Sequence, residues 1–427
     1  MNTQAAPVPS KNSSPVWVEP DLDFIRRLRK QGGESFKKCM QCGTCSAACA
    51  LSPDTKPFPR KEMAWATWGR KERLLKDPDV WLCHQCNDCS TRCPRGARPG
   101  DILAAVRQEC VTHYAFPRFF ARWVNQPQCA PLLLGIPIVA LLLALFLRDP
   151  IEMALGISTH AGERIVYTYS SIFPHWLLNA FFGFFSLLVL LLIFVGAARF
   201  WRAMKAANPH DRDATRIKGV IPSILSTFKG VFTHENFAEC TRARSRYLSH
   251  FCVLFGFMAL SAVTIWVITA KYNPLIRDDF IYPFNFFSPW KMLANVGGAA
   301  LVAGCLLMSW DRLSSSEDFG AGTYFDWALI SKLLLVAFSG FATEALHFVR
   351  LEPHRHIAYF VHLVFVFALL IYLPYSKLAH MVYRGVAMVF AERTGREWGA
   401  ALSPADTVGQ KGEQEGKENA KDTAAEQ

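Results

Sequence analysis

Eight of the 13 cysteines fall in two groups, Cys39, Cys42, Cys45, Cys49 and Cys83, Cys86, Cys89, Cys93. Both groups read C-x2-C-x2-C-x3-C, and Pro94 follows the second. Three thiolates this close together can wrap three corners of one iron–sulfur cubane, while the fourth points away and ligates a neighbouring cluster. The spacing therefore predicts a crossed pair of [4Fe–4S] sites. Cys39, Cys42, Cys45 and Cys93 form one, and Cys83, Cys86, Cys89 and Cys49 the other. Two structural zinc sites are the rival reading, but zinc takes two cysteine pairs per ion and has no need of a third thiolate at this spacing. His84, between ligands, is expected as a surface or supporting residue. Cys110, Cys129, Cys240, Cys252 and Cys305 are isolated and read as small apolar side chains.

A second set of candidates is histidine within apolar sequence, where an ionisable group is costly without a partner. His362 and His380 stand 18 residues apart on what reads as one span. At ~1.5 Å per residue this is about 27 Å, close to the ~30 Å of a bilayer's hydrocarbon. It is also five whole turns, so both would share a face and offer one ligand near each membrane surface. His250 is the expected inner mate of His380. For His362 the outer mate is His347, with His175 as the alternative. Facing histidines in a helix bundle suit haem b, one or two groups here. A quinone site near a haem needs a proton-handling group, and Lys332 and Glu344, with Lys291, are the ionisable candidates in the spans. Each has a competing reading as a snorkelling or paired charge.

The elements that must carry these residues follow from hydropathy. Residues 1–20 are polar, lack the apolar core of a signal peptide and read as a disordered N-terminus. Residues 21–115 form a soluble domain, with helices expected at Pro59–Gly69 and Asp101–Val111. The helical linker between the two motifs favours an α-helical ferredoxin. Residues 116–130 are aromatic and basic, a connector suited to the membrane surface. Residues 131–400 hold six apolar stretches, near 131–147, 174–198, 247–270, 289–310, 323–349 and 357–380, each about the ~20 residues that cross a bilayer. Residues 401–427 read as a disordered tail. The expected fold class is all-α, a ferredoxin domain followed by a six-helix transmembrane bundle.

The net charge is +11, with 51% hydrophobic residues. The basic residues are sorted by loop: 20 Lys and Arg in residues 1–130, 10 in 199–246 and 7 from Lys377 onward. That asymmetry puts both termini on the cytoplasmic side of the inner membrane. It argues against nucleic acid, since no Lys or Arg run is interleaved with a base-stacking motif.

The block from Cys39 to Gln108 resembles the C subunit of heterodisulfide reductase. The membrane part resembles the haem b subunit that partners it, and the γ subunit of respiratory nitrate reductase. The runs that carry this are PYSKLAH, here Pro374 to His380, and RARSRYLSHFCVLFGF around His250. Where the nitrate reductase family has a second histidine ten residues further on, this chain has Leu260. Fusion of both modules resembles the C subunit of the quinone-interacting membrane-bound oxidoreductase complexes of sulfur-metabolising prokaryotes. The resemblance implies haem b, menaquinone, flavoprotein and iron–sulfur partner subunits, and electron exchange with adenylylsulfate reductase. With no G-x-G-x-x-G and no P-loop, the chain is expected to be the electron-carrying subunit of a quinone-linked oxidoreductase. The alternatives are a non-catalytic membrane anchor, or the membrane subunit of a heterodisulfide reductase complex.

Overall fold

The computed structural model describes residues 19–53, 56–156, 169, 172–207, 219–233, 244–275, 284–314 and 322–396. Residues 1–18 and the tail 401–427, both expected to be disordered, lie outside the described residues, as do Cys240 and the loop histidines His160, His210 and His234. Among the described residues there is no strand, and the all-α expectation holds.

The N-terminal domain is a set of short helices around one long one. They are α1 (Leu22–Leu28), α2 (Thr44–Ala47), α3 (Arg60–Thr67), α4 (Lys71–Leu75), α5 (Asp79–Leu82), α6 (Asp88–Thr91) and α7 (Pro99–Tyr114). Asp21 caps α1 by accepting from the Phe24 N–H at 2.8 Å, satisfying one of the helix's open donors. Helix α7 begins with Pro at its first position, where the missing N–H costs nothing. Its Ile102, Leu103, Val106, Cys110 and Val111 are buried against α3, α4 and α5. The helices expected at 59–69 and 101–111 are thus α3 and the middle of α7.

A short aromatic helix, α8 (Arg118–Val124), leads from this domain to α9 (Ala130–Phe146) and α10 (Arg148–Leu155). Then come α11 (His175–Ala207), α12 (Val220–Thr233), α13 (Arg244–Tyr272), α14 (Pro289–Ser314), α15 (Tyr324–Val349), α16 (His354–Ile371) and α17 (His380–Thr394). Among the described residues six helices are long and apolar enough to cross a membrane: the one over Pro127–Phe146, then α11, α13, α14, α15 and α16. They match the six expected stretches. The chain is a multi-pass membrane protein.

Two elements differ from expectation. The last span ends at Ile371, and two short 3-10 turns over Leu373–Tyr375 and Lys377–Ala379 separate it from α17. Pro374 supplies the break, since it lacks the N–H that a continuing helix would use. His362 and His380 therefore lie on different helices, and the argument from five unbroken turns does not apply. Helix α12 falls within what reads in the sequence as a basic loop. Its Ile221, Leu225 and Phe228 are exposed while Ser223 and Thr227 are buried. That inverted amphipathicity suits a helix lying along a bilayer surface.

The soluble and membrane parts share one core. Phe200 and Met204 at the end of α11, Phe325 of α15, and Tyr383, Ala387 and Phe390 of α17 are buried in the same cluster as Phe24, Phe36, Met63, Trp81 and Val106. Arg199 of α11 donates to the Tyr114 carbonyl at 2.8 Å, closing the end of α7. Beyond α17, Arg396 pairs with Asp79 of α5, in a buried group where Lys61 also reaches Asp77 at 2.9 Å. Glu62, Asp77 and Asp79 converge there, and the cations they need are supplied by the chain itself.

Helices α13 and α14 approach through glycine. A Cβ on Gly256 would lie 2.6 Å from the Gly297 carbonyl oxygen and 2.7 Å from the Leu301 nitrogen. Close backbone approach of this kind is a common membrane packing mode. Gly256→Ala should raise helix propensity by ~1 kcal/mol but force the pair apart, at about 1–3 kcal/mol. The expected outcome is a lower Tm in detergent; an unchanged or raised Tm would show that the close approach contributes nothing.

Candidate iron–sulfur and haem sites

The two cysteine motifs fold alike. Gln41 and Gln85, each before the second cysteine, have φ of 58° and 55°. Gly43 and Asn87, each after it, have φ of 88° and 69°. These left-handed residues turn the backbone around each set of thiols, and each Gly or Asn then opens a short helix, α2 or α6. Left-handed φ is easy for glycine and tolerated by asparagine but unusual for glutamine, so the loop is held by its surroundings. Helices α2 and α6 pack on one another, bringing the two motifs together.

The thiols fall into the crossed sets. Cys39, Cys42, Cys45 and Cys93 line one cavity with Met63 and Ala97. On the other side, burial pushes the Cys49 thiol up to about 12, with Cys83 and Cys86 adding to it. Cys89 is likewise raised by burial and then by Cys83, Cys86 and Cys49. Cys45 is pushed up to about 11 by burial, with help from Cys39. Cys42 is exposed, and a hydrogen bond with the Thr44 hydroxyl at 3.3 Å lowers it. Buried thiols that repel one another as thiolates are costly alone, and an iron cluster supplies the positive charge that relieves them. Sulfur also receives local donors: the Gln85 N–H to Cys83 Sγ and Gln41 Nε2 to Cys39 Sγ, both at 3.3 Å. The residues present fit two cubane clusters.

Of the expected histidines, two are brought together. His380 and His250 lie within electrostatic range of one another. The His380 Nδ1–H donates to the Lys377 carbonyl at 2.6 Å, which makes Nε2 the nitrogen that would serve as a ligand. Helix α13 packs mainly on α14 and makes no extensive contact with α16 or α17 among the described residues. Histidines contributed by two different helices are the donor type that haem b takes.

The outer candidates are not brought together. His362 Nδ1 meets the Ser339 hydroxyl at 3.1 Å, and that hydroxyl donates to the Val336 carbonyl. His362 thus has its Nδ1–H tied, and its ring lies against Gly340, where an added Cβ would come 3.1 Å from Cε1. His347 is eight residues further along α15 than Ser339, about 12 Å by helical rise. There it packs on Tyr169 at 5.3 Å. The expected His347–His362 pair is therefore separated in depth, because α15 and α16 form an antiparallel hairpin that sets His362 beside Ser339. His175 is exposed at the start of α11. Leu260 packs into the cluster of Leu301 and Ile330. Glu344 pairs with Lys291 at 2.9 Å and accepts from Asn295 at 3.1 Å, a structural ion pair. Lys332 lies over the Tyr372 ring at 5.3 Å, twelve residues and about 18 Å from Glu344 along α15. These two do not form one quinone site.

Arg107, Arg246, Arg384 and Ser339 are supporting residues that had no place in the expectation, and His84 takes the supporting place of its two expected ones. Arg107 donates to the Cys83 carbonyl at 3.0 Å. His84 is buried and accepts at Nε2 from Arg384 at 2.7 Å, since arginine can only donate. Arg246 donates to the Gln85 carbonyl. Ser339 orients His362. Arg246 and Arg384 each stand four residues from a candidate haem histidine, a helical spacing readable in the sequence.

Fold and site together define a class: a membrane-spanning iron–sulfur electron-transfer protein. Residues 35–97 match the 4Fe-4S dicluster domain family. The chain belongs to the Citrate utilization protein B family, which matches residues 125–401. It is 28% identical over 403 residues to Citrate utilization protein B of Escherichia coli, covering 90% of this chain and 96% of that protein. The N-terminal domain is 34% identical over 89 residues to the C subunit of the H(2):CoB-CoM heterodisulfide,ferredoxin reductase of Methanothermobacter marburgensis, covering 21% of this chain. It is also 34% identical over 102 residues to the iron-sulfur C subunit of the CoB--CoM heterodisulfide reductase of Methanopyrus kandleri. The chain spans about half the length of these two reductase subunits. No solved structure matches.

The crossed sets give a direct test. Cys39→Ala and Cys93→Ala should abolish the same one of two cluster signals in electron paramagnetic resonance, and Cys49→Ala and Cys86→Ala the other. Loss of the same signal in Cys39→Ala and Cys49→Ala would show that each motif serves its own cluster.

Proposed function

We propose that this chain relays electrons between a membrane quinone and a soluble flavoprotein, through one haem b and two [4Fe–4S] clusters, at the inner face of the cytoplasmic membrane. The observation that supports this is that His380 lies within electrostatic range of His250, on two helices whose Arg384 and Arg246 also hold the second cysteine loop. Haem b takes one electron at a time, which suits oxidation or reduction of a two-electron quinone in two steps.

The residues do the rest. Lys377 fixes the tautomer of His380 through its carbonyl. The turn at Pro374 ends the last span and lets α17 begin at that histidine. Burial excludes water from Cys83 and Cys89. Cys39, Cys42, Cys45 and Cys93 hold the more exposed cluster; Cys83, Cys86, Cys89 and Cys49 hold the other. Menaquinone is the quinone that the membrane part's resemblance implies. Lys332, in the inner half of α15, is the favoured quinone contact, because Glu344 is already engaged by Lys291 and Asn295.

Two kinds of soluble partner suit the exposed end. The fused architecture resembles complexes that exchange electrons with adenylylsulfate reductase through flavoprotein and iron–sulfur subunits, in dissimilatory sulfur metabolism. The relative matched along nearly its whole length is named for citrate utilization. That coverage favours a flavoprotein acting on a carboxylate, with electrons passing from it towards the quinone.

The test is an optical difference spectrum of the purified chain with a menaquinol analogue. A b-type α-band is expected in the unaltered chain and in His175→Ala, and its loss in His380→Ala and His250→Ala. Absence of the band in the unaltered chain with both quinol and dithionite would sink the relay and leave a membrane anchor.

A further inference from the structure

The second cysteine loop is gripped from the two helices that carry the proposed haem ligands. Arg246 of α13, one turn before His250, donates to the Gln85 carbonyl. Arg384 of α17, one turn after His380, donates to His84 at 2.7 Å. His84 and Gln85 are the two residues between Cys83 and Cys86. Arg107 holds the Cys83 carbonyl from a third side. Cys83, His84, Asn87 and Cys89 are buried under this grip.

The first loop is treated in the opposite way. Cys42 is exposed, and Met40 beside it is 66% exposed. Lys37, Lys38, Arg60, Arg92 and Arg95 are all exposed around it.

We infer that Arg246 and Arg384 are positioning residues that fix the order of the relay. They hold the cluster of Cys49, Cys83, Cys86 and Cys89 against the haem. The cluster of Cys39, Cys42, Cys45 and Cys93 is then the outward one, and its cationic collar fits an acidic face on the soluble partner. This inference rests on the haem reading above. Each transfer across the junction moves one electron and makes or breaks no bond: one haem iron changes between ferrous and ferric as one cluster changes between its oxidised and singly reduced states.

The experiment uses the full chain in lipid nanodiscs. Cys42→Ser and Cys86→Ser each remove one cluster. Both variants are reduced with dithionite, freed of excess reductant, and mixed with limiting menadione. Haem is followed optically, and the surviving cluster by freeze-quench electron paramagnetic resonance. In Cys42→Ser the surviving signal should decay together with the ferrous haem. In Cys86→Ser it should persist after the haem has been reoxidised. The reverse pattern, joint decay in both variants or persistence in both would overturn the order. Should either variant lose both clusters, Arg246→Gln/Arg384→Gln decides. It should keep its haem band and both cluster spectra but leave both cluster signals standing after haem reoxidation; decay at the rate of the unaltered chain would overturn the inference. Haem content measured on the unaltered chain separates the two failures, because a chain without haem overturns the relay itself.

Discussion

Trp81 lies in the short helix just ahead of Cys83, stacked on Tyr383 at 5.4 Å and edge-on to Phe200 at 6.3 Å. Those rings come from α17 and α11, so a residue two positions from a cluster ligand is fixed by the membrane bundle. Tyr114, at the end of α7, packs on Phe200 from the other side at 5.2 Å. Trp81 is 1% exposed, and burying such a side chain is worth roughly 1.5–3 kcal/mol before ring geometry adds to it. This aromatic stack, with the Arg199 and Arg396 contacts, sets the cysteine loops against the bundle where the arginines of α13 and α17 can hold them.

The charged groups around this stack follow the same logic. A single buried charge is costly, whereas a set that supplies its own counter-charges is tolerated. Lys61 and Arg396 answer Glu62, Asp77 and Asp79 in this way. Arg396 reaches them from just past the end of α17, where Gly395 turns the chain with φ of 66°. Aromatic packing at one end of α17 and ion pairing at the other therefore tie the last helix to the first domain, and His380 is held between the bundle and that tie.

Much of this was readable from residue spacing. The cysteine motifs carry their own geometry, because three thiolates at x2 intervals can do little else, and the crossed sets are those that meet in space. The six spans follow from hydropathy, which is a strong signal over twenty residues. The His250–His380 pair is an expectation from depth, and the structure sets the two within electrostatic range. The His362–His347 pair failed for a reason that depth counting misses: the tight hairpin between α15 and α16 sets His362 opposite Ser339, and position 347 lies two turns outward. Pro374 is visible as a helix breaker, but the apolar run around it masks the break. The grip of Arg246 and Arg384 was written as i,i+4 spacing to histidine, yet its meaning depends on a loop some 160 and 300 residues away in sequence, and no local pattern announces that.

The shared core also has a consequence for biosynthesis. A ribosome releases residues 21–115 long before it releases α17, yet Tyr383, Ala387 and Phe390 fill the same cluster as Phe24 and Trp81. The nascent ferredoxin half must therefore wait, with part of its apolar interior open, until the sixth span has been inserted and the chain returns to the same side. Until then Trp81 lacks the Tyr383 ring it stacks on, and His84 lacks Arg384. Helix α17, the last among the described residues, is in this sense the lid on the first domain to be made.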